Sequence, residues 1–390
     1  MKRSGRLRRL APAIGLVFLS PWVGEFLLGS SPIQHLPAAL VLLVPLYGGG
    51  ALLIREIARR FGLGYPGVVL LGAAYGVIEA GLLDQSMFNP AFLNEGSDAG
   101  FATMANQALG YVAGHAVWSI GVPIAIAELL ASGRSAAPWL GRTGLAAAAV
   151  LYGAGCAIVF SFIYAEYRFL ASPVQLAGAA AGAALCVMAA FALRAGSGAS
   201  SAGVSGGGAS GDGDSGGVSG SGAPGASGEP EIAAVAAGSG GRIAGNSGGV
   251  RPWLAGAAAF AASGAFVARP EHGWIGLVSG LLLPAAAWYV VRRWSGSPWW
   301  SVRHRTALVS GALLTYAWLG FYVTWLIRPG DRIAWFGNVL FALTAIALAL
   351  IMARRARAQA VHRESSSSRI SMNGSGSSSG SPSPFSRYSS

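Results

Sequence analysis

Glu79 and His115 are the two residues of this chain whose chemistry is hardest to explain as packing. Each lies inside a long apolar run, GVVLLGAAYGVIEAGLL for the carboxylate and ALGYVAGHAVWSIGV for the imidazole. Ionisable side chains at membrane depth are costly, and they mark functional sites by default. A carboxylate beside an imidazole exchanges a proton near neutral pH, which suits the coupling site of a transporter. The same pair, with Glu79 or Asp84 as general base and His115 as acid or metal ligand, would suit a membrane-embedded hydrolase. As hydrogen-bonded glue between neighbouring helices it would contribute about 1 kcal/mol or less, as in a non-catalytic scaffold. These three readings stay open at the level of sequence, as does whether the protein is an enzyme.

Other polar residues fall around the pair. Glu25 ends the first apolar run, and Asp84 opens a long polar loop, DQSMFNPAFLNEGSDAGFATMANQ, that also carries Gln85, Asn89, Asn94, Glu95 and Asp98. Spacing of i, i+4 predicts Tyr111, His115, Trp118 and Ser119 on one stripe of a helix, as one wall of a polar cavity. Gly72 and Gly76 share a stripe with Glu79, a small-x-x-x-small pattern that lets helices approach and turns the carboxylate toward protein. The polar site expected is therefore Glu79, His115, Glu25, Asp84, Tyr111 and Ser119. Arg55, beside Glu56, and Glu128 share a level at the other end of their helices, and a structural ion pair between Arg55 and Glu128 is expected. Pro21, Pro45 and Pro123 interrupt three of the helices that bear these groups, and Pro123 removes the donor for the carbonyl of Ser119. Interrupted helices around polar groups point to transporter sites.

The elements that must hold these residues follow from hydropathy. A helix needs about 20 residues to cross the hydrocarbon. Apolar runs predict crossings near 11–29, 36–54, 65–83, 109–132, 143–163, 172–193, 252–268, 273–292, 305–327 and 334–353. The fold class expected is all-α, a polytopic transmembrane bundle of about ten helices, six plus four. Laid out so, 23 of the 27 Lys and Arg residues fall on one side, and Arg168, Arg269, Arg328 and Arg332 fall on the other. The positive-inside rule then places both termini in the cytoplasm. Glu25, Glu79 and His115 share a level toward the opposite side. The last four crossings carry no ionisable residue well inside them, so the active unit is expected in the first six.

Composition agrees: 53% of residues are hydrophobic and 11% charged, ordinary for a polytopic membrane protein. The net charge of +12 sits at helix ends and tails, where it meets anionic lipid, so the lipid bilayer is the expected partner and nucleic acid is not. Protein partners are not specified. Arg outnumbers Lys by 26 to 1, which with the abundance of Ala and Gly reads as a GC-rich bacterial genome and places the protein in a bacterial cell membrane. The N-terminal Lys2, Arg3, Arg6, Arg8 and Arg9 mimic a signal peptide, but Glu25 interrupts the apolar run and a retained first helix is expected. Residues 1–194 are read as a six-helix unit and 195–250 as a disordered Gly/Ser-rich linker. A four-helix unit at 251–354 and a disordered Ser-rich tail at 355–390 follow. Cys156 and Cys186 read as small apolar fillers. No metal site and no cofactor is specified by any motif; GxSxG, HExxH and Walker-type loops are absent.

Three segments, YGGGALLIREIARR at 47–60, GVIEAGLLDQSMFNP at 76–90 and GHAVWSIGVPIAIAE at 114–128, together resemble a group of uncharacterised multi-pass membrane proteins of GC-rich bacteria. The resemblance implies a membrane bundle and no assigned activity. Relatives in that group often have a second acidic residue where Ala80 stands, and its absence here argues against a role that needs paired carboxylates. Glu79 followed by GHAVWS is also loosely similar in order to CAAX-processing-type intramembrane proteases. Those use Glu-Glu-x-x-x-Arg, however, and here residue 80 is Ala, residue 83 is Leu and a second intramembrane His is missing.

Overall fold

The structure is a computed structural model that describes residues 2–92, 100–131, 136–202 and 249–374. Helix is the regular structure of the described residues, without strands. Eight helices are long and apolar enough to cross a membrane, and two shorter apolar ones accompany them. In chain order they are α1 (Leu10–Phe26), α2 (Ile33–Arg60), α3 (Tyr65–Leu83), α4 (Phe101–Leu130), α5 (Arg142–Tyr167), α6 (Pro173–Arg194), α7 (Pro252–Val267), α8 (Gly273–Ser295), α9 (Val302–Ile327) and α10 (Arg332–Ala360), α1 and α7 being the short pair. In hydrocarbon each backbone N–H and C=O must be satisfied within its own segment, so these apolar runs have little choice but helix. The protein is an all-α polytopic bundle, as its hydropathy requires.

Residues 1–194 and 250–390 form one compact unit; Ala195–Gly249 form the other, described only at its ends. The six-helix and four-helix segments thus share a body. One core joins α1 through α6 around Leu16, Leu46, Tyr47, Tyr75 and Ile120. A second joins α1 and α4 to α7, α9 and α10 around Phe26, Trp118, Ile126, Leu313 and Phe341. Trp118 ties the two segments: its ring stacks on Tyr316 at 4.4 Å and its Nε1–H donates to the carbonyl of Ala312 at 2.8 Å. The helix that starts at Arg332 runs on to Gly374, past residue 355 where composition predicts a disordered tail. The run MARRARAQA that carries it across is built of strong helix formers, so propagation costs little once a packed helix has nucleated it.

Close approach between α3 and α4 depends on the glycine stripe. A Cβ on Gly72 would lie 3.0 Å from Ala116 Cα, and one on Gly76 would lie 3.0 Å from Val112 Cα and from His115 Cβ. Any larger residue would force the helices apart, so this stripe lets α3 bring Glu79 against His115.

Four helices contain a wide, π-helical turn: Trp22–Phe26 in α1, Val44–Gly48 in α2, Glu79–Leu83 in α3 and His115–Gly121 in α4. Prolines help to open three of them. Pro21 precedes the first, Pro45 lies in the second and Pro123 follows the fourth, each unable to donate a backbone bond. The carbonyl of Ser119, which Pro123 leaves without its usual donor, is met by the hydroxyl of Ser20 on α1 at 2.6 Å. The same hydroxyl lies 3.0 Å from the carbonyl of Tyr47, so one fully buried side chain braces three of the interrupted helices.

Candidate functional site

Each of the four wide turns delivers one polar side chain to a common point. Glu25 comes from the first, Tyr47 from the second, Glu79 from the third and His115 from the fourth. Single π turns are rare and occur frequently at functional sites. The Tyr47 hydroxyl is the hub: it lies 2.5 Å from Glu25 Oε1, 3.2 Å from His115 Nε2 and 3.4 Å from Glu79 Oε1. Its ring meets those of Tyr75 and His115 at 5.9 Å each, and Tyr75 and His115 are also 5.9 Å apart. Tyr47, Tyr75 and Glu79 are buried, and the His115 side chain is 14% exposed.

His115 Nε2 stands 2.9 Å from Glu79 Oε2, off the ideal hydrogen-bond line but at ion-pair distance. The other ring nitrogen, Nδ1, is 2.7 Å from the carbonyl of Tyr111. A carbonyl only accepts, so Nδ1 carries a proton, and Nε2 is the nitrogen that gains and loses one. Two bare lone pairs 2.9 Å apart would repel; a proton therefore resides between Nε2 and Oε2, on one atom or the other. Glu25 differs: Tyr47 donates to Oε1 at 2.5 Å and Ser30 donates to Oε2 at 2.6 Å, so each of its oxygens has a hydroxyl partner. Arg328 approaches from α9's end by donating to the carbonyls of Gly29 at 3.1 Å and Ser30 at 2.8 Å.

Asp84 follows directly on α3. Its Oδ1 accepts from the backbone N–H of Ser86 at 2.9 Å. Burial, reinforced by the Glu79 carboxylate, pushes its carboxyl up to about 8 from an ordinary 3.8. Asn94, Glu95 and Asp98 lie outside the described residues.

The structure thus brings together Glu79, His115 and Glu25, with Asp84 in electrostatic reach. Tyr111 and Ser119 take part through their carbonyls: the Tyr111 hydroxyl is 3.5 Å from the carbonyl of Phe92, and Trp118 turns away to α9. The expected stripe assumed α-helical spacing, whereas His115–Gly121 holds more residues per turn and rotates later side chains off the line. Tyr47 and Ser30 were not singled out from the sequence. The nearest signal was Pro45 and the run Gly48-Gly49-Gly50, which mark a weak point in α2 without saying which side chain it presents.

At the basic end, Glu128 on α4 accepts from Arg55 Nε at 3.2 Å, from Arg59 Nε and Nη2 at 2.6 Å each, and from the Tyr65 hydroxyl at 2.8 Å. Arg55 also donates to Glu56 at 2.7 Å and to the carbonyl of Ala137 at 2.8 Å, and it lies 3.5 Å over the Trp139 ring. Glu56 in turn accepts from the backbone of Trp139 at 2.8 Å. Arg55 and Glu128 do meet, but the bidentate partner of Glu128 is Arg59. These polar groups are saturated by one another, which is the arrangement of a structural tie. Among the described residues no group of three or more His, Cys, Asp or Glu is placed to hold a metal ion.

A family model described as "Uncharacterized membrane protein family" matches residues 15–366, and the chain belongs to that family. The likeness to CAAX-processing proteases gains no support from this match. No curated protein and no solved structure matches the chain.

Proposed function

We propose that this member of the family is a proton-coupled small-solute transporter in which Glu79 and His115 share the translocated proton. The observation that carries this reading is the 2.9 Å approach of His115 Nε2 to Glu79 Oε2 at a point where four interrupted helices meet. The pair holds one exchangeable proton, and each partner sits on a turn that departs from α-helical geometry. Such turns let a helix change register locally without losing its backbone bonds. Contrast with the basic end supports the assignment: there Glu56 and Glu128 are each held by two arginines, whereas this cluster retains a proton that can leave.

The bilayer we assign is the bacterial cell membrane, with both termini cytoplasmic, on the strength of the 23 to 4 basic asymmetry. Glu79 and His115 then lie toward the outer side. Reporter fusions at residue 220 and at the C-terminus test the orientation, and activity of a periplasm-only reporter at either point would reverse it.

The function is tested in liposomes that enclose a pH-sensitive dye and contain the purified full-length protein. Amino acids, dipeptides, monosaccharides and monocarboxylates are added outside in turn. At least one class is expected to evoke an internal pH change that Glu79→Gln abolishes while the protein remains monodisperse. The amide is nearly isosteric and cannot titrate. A silent panel, or a response that Glu79→Gln leaves intact, would count against the transporter reading.

A further inference from the structure

We infer that Tyr47 is a proton relay and Glu25 a second proton-carrying site, so that the proton held by Glu79 and His115 leaves along His115, Tyr47 and Glu25. This rests on the transporter reading and specifies its path. A phenol has one proton to donate, and Tyr47 faces three groups able to take or give one. The short bond to Glu25 Oε1, 2.5 Å, shows where that proton points at rest. The oxygen lone pairs of Tyr47 are then free toward His115 Nε2 at 3.2 Å.

The step balances with no other reactant. The Nε2–H bond of protonated His115 breaks as an O–H bond forms on Tyr47. The original O–H bond of Tyr47 breaks as one forms on Glu25 Oε1. His115 is left neutral, Glu25 becomes a carboxylic acid and the phenol is unchanged. Rotation of the hydroxyl about its C–O bond restores the starting direction. The Tyr111 carbonyl keeps Nδ1 protonated throughout, so the imidazole can exchange only through Nε2, the atom that faces Tyr47 and Glu79.

The surroundings give the path a direction. Glu25 faces Ser30, whose hydroxyl donates to Oε2 at 2.6 Å. Ser30 lines a cavity of about 490 Å³ with Ser31, His35 and Arg328. Arg328 is fixed at that cavity by donating to the carbonyls of Gly29 and Ser30. The groups facing the relay from the packed helices are Glu25 on α1, Tyr75 and Glu79 on α3 and His115 on α4. Tyr316 of α9 reaches the Gly114 turn beside them. Among these, Tyr47 alone touches both carboxylates and the imidazole.

Tyr47→Phe tests the relay because the ring, with its contacts to Tyr75 and His115, is retained and only the hydroxyl is lost. In the dye-loaded liposomes, with the solute class that evokes a pH change, Tyr47→Phe is expected to reduce proton movement at least tenfold, and Glu25→Gln to do the same. Counter-exchange of that solute at equal pH, which moves no net proton, should persist in Tyr47→Phe. Wild-type proton movement in Tyr47→Phe, alongside its loss in Glu79→Gln, would overturn the relay and leave the transporter reading standing. Indifference to Glu79→Gln would instead overturn the function itself. Infrared difference spectra of the full chain in lipid, taken between about pH 5 and 9, give a readout that needs no solute. A carboxylic acid band is expected that Glu25→Gln removes and Tyr47→Phe shifts. A Glu25 that stays ionised across the whole range would sink the relay.

Discussion

Glu128→Gln at the basic end is expected to destabilise the protein by about 3 kcal/mol, within the range for breaking a buried ion pair. The figure follows from what each oxygen does. Oε1 accepts from Arg55 Nε and Arg59 Nε, and Oε2 accepts from Arg59 Nη2 and the Tyr65 hydroxyl. An amide retains one acceptor and places an NH₂ where the other oxygen stood. Tyr65 can rotate its hydroxyl to accept from that NH₂, but Arg59 Nη2 has no proton acceptor left there. Arg55 remains held by Glu56, the Ala137 carbonyl and the Trp139 ring, so the cost falls on Arg59, whose side chain is 12% exposed. One charge-assisted bond is lost, worth about 1.5–3 kcal/mol, and two are weakened. Reversible unfolding of the purified protein in mixed micelles, followed by far-ultraviolet circular dichroism, measures the change. Arg59→Gln should cost about 2 kcal/mol alone and under about 1 kcal/mol in the Glu128→Gln background, because the two residues act on one interaction. A loss below about 1 kcal/mol for Glu128→Gln, the range of exposed ion pairs, would refute the reasoning.

Gly76→Ala adds a Cβ 3.0 Å from His115 Cβ and Val112 Cα, so α3 and α4 must part by a few tenths of an ångström. Since a misplacement near 1 Å can cost a hundredfold, roughly tenfold slower proton movement with the fold retained is expected in the liposome assay, and an unchanged rate would show that the spacing is not critical. Trp118→Phe removes the donor to the Ala312 carbonyl and most of the stacking on Tyr316, and should lower stability by about 1.5 kcal/mol in the same unfolding assay; no measurable loss would mean that α4 and α9 are held elsewhere. Asp84 keeps its proton up to about 8 in the folded protein and releases it from an ordinary 3.8 when unfolded, so the folded state binds more protons between those values. Stability should therefore fall as pH rises from about 4 to 8, and Asp84→Asn should flatten that slope; a wild-type profile with no slope there, or one rising, would contradict the burial of Asp84.

Hydropathy along the chain was sufficient for the helical class and for the ten helical stretches, because a chain in hydrocarbon must satisfy its backbone locally wherever it is apolar for long enough. Depth was legible for the same reason: rise per residue is constant, so Glu25, Glu79 and His115 could be placed on one level by counting. The Gly72 and Gly76 stripe identified the face of α3 that packs, and Pro123 identified the carbonyl of Ser119 that needs another donor. What one dimension does not contain is the rotation of each helix about its axis. Pattern reading assigns that rotation by assuming a constant number of residues per turn, and four wide turns break the assumption at the residues that matter. Hence Trp118 faces α9 instead of the polar site. The choice of Arg59 over Arg55 as bidentate partner of Glu128 likewise depends on how α2 and α4 are turned toward each other. Tyr47 is the clearest case: it is an aromatic residue in an apolar run until three other helices carry Glu25, Glu79 and His115 to its hydroxyl. Contacts among four helices separated by up to about a hundred residues are decided by packing, and only the tertiary structure records its outcome.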